Sequence, residues 1–60
     1  MNDIRKMRRD LEFSQAEVAR TAGTSQMTVS NAEHGKRVSI VTVRRIVAAL
    51  QTLERQRTGG

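Results

Sequence analysis

The sequence predicts an all-α fold, a compact four-helix domain whose last helix extends toward the C-terminus. Two observations carry that expectation. Apolar residues recur at three- and four-residue spacing in separate stretches, and the junctions between stretches fall on residues that cap or close helices.

The first stretch, residues 2 to 12, carries Ile4, Met7 and Leu11 on one side and Arg5, Lys6, Arg8 and Arg9 on the other, with Asn2 or Asp3 as its cap. Phe13, the sole aromatic, follows directly and is expected to plug the core between helices one and two. The second helix begins at Gln15. Ser14 is placed to accept a first-turn amide hydrogen bond, and Glu17 completes a capping box. Val18, Ala19 and Ala22 form its apolar strip, and Gly23 closes it, because glycine takes the left-handed conformation at little cost. Thr24 or Ser25 caps the third helix, which turns Val29 and Ala32 inward and leaves Gln26, Met27, Thr28, Ser30 and Asn31 outside.

Gly35, Lys36 and Arg37 form the next break, and Ser39 caps the last helix. Ile40, Val43, Ile46, Val47, Leu50 and Leu53 share one face of it, and the 43, 46, 50, 53 spacing matches a heptad seam. The start of that stripe covers the core. Leu50 and Leu53 are expected to reach beyond it and pair with a second copy as a homodimer. QTLERQR contains neither glycine nor proline, so the helix is expected to run to about Arg57. The domain is thus residues 1–57, with Thr58, Gly59 and Gly60 as a disordered tail.

Composition narrows the function. A 60-residue chain forms one domain and buries only about 60% of the surface its unfolded form exposes, so stability should be modest. There is no cysteine, hence no disulfide and no thiolate metal site. His34 has no second ligand at metal spacing, so no metal is expected. No apolar run approaches the roughly 20 residues that span a membrane, and a cytoplasmic location is expected. The carboxylates Asp3, Asp10, Glu12, Glu17, Glu33 and Glu54 are scattered without a convergent pair, and no glycine-rich phosphate loop is present. Neither an enzyme, a cofactor nor a small-molecule ligand is expected. Eleven Lys and Arg against six Asp and Glu give a net charge of +5, which favours a polyanionic partner through counterion release.

Two short helices around Gly23, a small Ala19 where they cross, and a polar, hydrogen-bonding outer face on the second helix are what a DNA-reading helix-turn-helix needs. Residues 2 to 50, and SQAEVA and GTSQMTVSNAEHGK within them, resemble the lambda-repressor-like, Cro/XRE-type helix-turn-helix family of phage and bacterial regulators. The resemblance implies a repressor of double-stranded DNA whose helix around residues 25–33 lies in the major groove. Gln26, Met27 and Asn31 are then the base readers, with Ser25 and Thr28 as secondary contacts. It further implies phosphate contacts from Gln15, the Gly35 amide, Lys36 and Arg37, and a structural salt bridge between Arg8 and Glu33. The sequence departs from the family in two places. KRVSI lacks the usual proline before the fourth helix, and QTLERQR stands where a glycine turn and a fifth helix are usual. Other expectations from the same domain are an antitoxin, a restriction-modification controller or an excision or architectural factor. A protein-interaction module using the Leu50–Leu53 end or the acidic Glu12 and Glu17 surface is the alternative of a different class.

Overall fold

The computed structural model describes residues 3–58. Four helices follow one another as α1 (Asp3–Asp10), α2 (Gln15–Ala22), α3 (Gln26–Glu33) and α4 (Ile40–Thr58), with no strand among the described residues. The core is small and almost wholly aliphatic. Ile4, Val18, Ala19, Val29, Ala32, Ile46, Ala49 and Leu50 are buried, and Met7, Leu11, Phe13, Val38, Val43 and Leu53 pack against them. α2 lies at the centre, packing against both α3 and α4, while α1 leans on α3 and α4.

Capping sets the helix boundaries. The Glu17 amide donates to Ser14 Oγ and the Ser14 amide to Glu17 Oε1, each at 3.0 Å, which is the full capping box. Ser25, rather than Thr24, caps α3, accepting the Thr28 amide at 3.1 Å. Ser39 does the same for α4 through the Thr42 amide. Three chain reversals share one closing pattern, in which the residue past the left-handed position bonds back five residues. Phe13 N–H donates to the Arg8 carbonyl, Thr24 to Ala19 and Lys36 to Asn31. The left-handed residues are Glu12, Gly23 and Gly35, at φ 62°, 73° and 72°.

Several expectations are corrected. α1 stops at Asp10 instead of running to residue 12, because Glu12 adopts the left-handed conformation that ends it. Its expected cap Asn2 lies outside the described residues. Ile40 is 65% exposed instead of sharing the buried face of α4, since it sits in the first turn, where the loop residue Val38 packs on the core. Leu50 is fully buried within the single chain and is therefore not available to a second copy, while Leu53 is half-buried against the same core. α4 includes Thr58 in its helix. Gly59 and Gly60, expected as tail, lie outside the described residues.

Arg57 holds the far end of α4 to the α1–α2 turn. Its Nη1 donates to the Leu11 carbonyl, its Nη2 reaches Glu12 Oε1 at 3.3 Å, and its guanidinium lies 5.4 Å from the Phe13 ring centroid. Those contacts brace the turn whose left-handed residue is not glycine. An Arg57→Ala substitution is expected to cost about 1 kcal/mol and lower the melting temperature by about 4–8 °C. An unchanged melting curve would show that Arg57 does not brace the turn.

Candidate nucleic-acid interface

The candidate site is built on α3 and the loop after it, and its position is fixed from beneath by one carboxylate. Glu33, in the last turn of α3, is 4% exposed. Arg8 of α1 meets it with a fork, Nη2 donating to Oε1 at 3.0 Å and Nε donating to Oε2. Gln15, the first residue of α2, donates its Nε2 to Oε1 at 3.1 Å. The third arm of the Arg8 guanidinium, Nη1, donates to the Phe13 carbonyl at 2.9 Å. No buried side-chain nitrogen or oxygen among the described residues lacks a partner. Burial alone pushes the Glu33 carboxyl up, but the hydrogen bonds from Arg8 and Gln15 and the charges of Arg8 and Arg5 outweigh it. The carboxyl is held below its ordinary value of 4.5.

The start of α3 and its outer face carry the exposed side chains. Gln26 is exposed, Met27 is 73% exposed and Asn31 is half-buried, and none of the three has a side-chain hydrogen-bond partner among the described residues. Ser25 and Thr28 are engaged with each other, their hydroxyls 2.8 Å apart while Ser25 also caps the helix. His34 closes α3, with Nδ1 2.7 Å from the Ser30 carbonyl. The Lys36 and Arg37 side chains are exposed in the loop, which the Lys36 amide ties back to the Asn31 carbonyl at 2.9 Å.

Two expected phosphate contacts need revision. The Gly35 amide already donates to the Ala32 carbonyl at 3.3 Å as part of the helix closure, so it is not free to donate to a phosphate. Gln15 is half-buried and braces Glu33, which leaves only the rest of its amide for a second partner. Sequence reasoning missed this bracing role, and it missed Arg57 altogether. The one available signal for Arg57 was a basic residue in the last turn of a long helix, which more often answers only the helix dipole.

This arrangement defines a helix-turn-helix: α2 and α3 joined by a left-handed Gly23 turn, with α3 outward and polar. The chain matches the helix-turn-helix family over residues 4–55 and belongs to its lambda-repressor-like, Cro/XRE-type branch. It is a DNA-binding regulator of that type. No curated protein and no solved structure matched the chain. No helix of the described residues is long and apolar enough to cross a membrane.

Two predictions follow from the Glu33 cluster. Arg8→Met alone leaves a buried carboxylate without its cation and is expected to cost about 3 kcal/mol in chemical denaturation, while adding Glu33→Leu recovers most of that loss. A double variant as unstable as the single one would show that the orphaned charge is not the cause. The second concerns pH. Because folding depresses the Glu33 pKa, its contribution to stability is complete above the ordinary value of 4.5 and is lost as pH falls through the lower folded value. Melting temperatures measured from neutral pH downward should therefore drop in that acid range less steeply for Glu33→Gln than for the natural protein.

Proposed function

We propose that the protein is a sequence-specific transcriptional regulator, a repressor of the kind that phages and mobile elements carry, acting on promoter DNA in the cytoplasm. The observation that supports this best is a contrast within α3. The C-terminal turn of α3 is locked to α1 and α2 through Glu33, while Gln26 at its start and Met27 and Asn31 on its outer face have no side-chain hydrogen-bond partner among the described residues.

A rigid helix with unspent hydrogen-bonding groups suits base-edge reading in the major groove. In this reading Gln26 and Asn31 each address an adenine N6/N7 edge, Met27 meets a thymine methyl, and Ser25 and Thr28 make the flanking contacts. Lys36 and Arg37 neutralise phosphates beside the reading helix and set its register, with the outer part of the Gln15 amide as a further backbone contact. Repression is by occlusion of the promoter. Two copies bind as a symmetric dimer to half-sites about one helical turn apart.

Selection of genomic fragments by the purified protein, followed by footprinting, is the experiment that tests the whole reading; a protected inverted repeat is the expected result. On that site Asn31→Ala or Gln26→Ala should cost about 1–3 kcal/mol of binding and relax the preference at one base pair. Lys36→Ala should weaken all sequences alike and flatten the salt slope by about one. Equal losses on the selected site and on random DNA for Asn31→Ala would overturn the base-reading assignment.

A further inference from the structure

The acids of this chain are largely spent within it, and the cations are not. Asp10 pairs with Lys6, Glu33 with Arg8, Glu12 with Arg57, and Glu17 accepts the Ser14 amide. Arg44, Arg45 and Arg55 of α4 are all exposed, and among the described residues none has a carboxylate within ion-pair distance. At 3.6 residues per turn, positions 44, 45, 48, 52 and 55 fall within an arc of about 100°, opposite the buried Ile46 and Leu50. Glu54, the one acid of α4, lies outside that arc. Between the arginines stand Ala48 and Thr52, so nothing bulky or acidic interrupts the row. An intrahelical glutamate at position 48 would have offset Arg44 at four-residue spacing, and the chain has alanine there.

A row of uncompensated like charges works against folding in a domain with little stability to spare. Such a row is met by an external polyanion. The three guanidinium groups span about 16 Å of helix axis, a length over which duplex DNA carries several phosphates. The buried side of α4 packs on α2 and α1, and α3 packs on those same two helices, so the arginine row points away from the helices that hold α3 in place.

We propose that the outer face of α4 is a second DNA-binding surface, which takes the phosphate backbone of a duplex segment other than the one read by α3. The protein would then join two DNA segments, as a regulator does when it loops or condenses the region around its site. The inference rests on the α3 reading only for the first duplex. The second contact is to phosphate alone and therefore carries no sequence preference.

The test is a capture assay. A bead-bound short duplex bearing the selected site is loaded with full-length protein, washed, and offered a fluorescent duplex of random sequence. The natural protein should retain the second duplex. The triple variant Arg44→Gln, Arg45→Gln, Arg55→Gln should load the first duplex within about twofold of normal affinity and retain about tenfold less of the second. The corresponding triple lysine variant should restore capture, since phosphate contact needs charge more than the guanidinium fork. Circular dichroism of each variant establishes that it is folded. Three results would overturn the proposal: no capture by the natural protein, undiminished capture by the glutamine variant, as two α3 faces of a dimer would give, or an equal loss of affinity for the first duplex. Failure of the α3 reading shows up separately, as loading that does not distinguish the selected site from random sequence.

Discussion

The Glu33 carboxylate is the constraint on which the rest of the structure depends. Eight buried apolar residues, all valine, isoleucine, leucine or alanine, make a core too small and too smooth to fix helix orientations by shape alone. A carboxylate placed beneath α3 changes that. It must find hydrogen-bond donors or remain uncompensated, and donors in the right positions exist only when Arg8 of α1 and the start of α2 come to it together. The net energy of such a cluster is modest, because desolvation consumes most of the attraction. What it contributes is discrimination among packings. α3 sits at one angle and register because other angles strand the charge.

The same economy governs the chain reversals. The turns after α2 and α3 use glycine at the left-handed position, whereas the turn after α1 places Glu12 there and carries the associated backbone strain. Two arginines brace that turn from different helices. Arg8 takes the Phe13 carbonyl while its other arms hold Glu33, and Arg57 takes the Leu11 carbonyl while lying over the Phe13 ring. The length of α4 follows from this. From Leu50 to Arg57 the helix rises about 10 Å, enough to carry a cation from the core to the α1–α2 turn. The last turns of α4 close the domain on itself, and its apolar stripe is used inside the same chain.

Local signals in the sequence were readable because their physics is local. Ser14 with Glu17, Gly23, Ser39 and the 43, 46, 50 spacing each involve residues within a turn or two of one another, and each appears where the residue types place it. What was not readable depends on distant partners. Heptad spacing is the same whether the partner is α2 or a second chain, so it did not assign Leu50 to the core. Helical periodicity does not say where a neighbouring helix ends, so the spacing puts Ile40 inward although Val38 packs there. The left-handed Glu12 answers to Arg57, 45 residues away in the chain, and no local pattern announces it. For the candidate site, the outward placement of Gln26, Met27 and Asn31 was legible from α3 alone. The engagement of the Gly35 amide and of Gln15 was not, because both belong to the closing and bracing of helices.

Charge is divided among these parts in a way that separates two tasks. From Gln26 to Ala32 the reading helix contains no ionisable residue, and the cations nearest to it in sequence are Lys36 and Arg37 in the loop. A neutral reading surface discriminates by hydrogen-bond pattern and shape, since a cation there would be drawn to any phosphate and would add affinity without choice. The loop cations provide the indiscriminate attraction from the side. Only one acid lies in α3, and it is turned inward, where its charge is cancelled by Arg8 and cannot repel a polyanion approaching the outer face. Burying Glu33 therefore serves orientation and electrostatics together. The group that fixes the angle of α3 is the same group that would have opposed DNA had it remained on the surface.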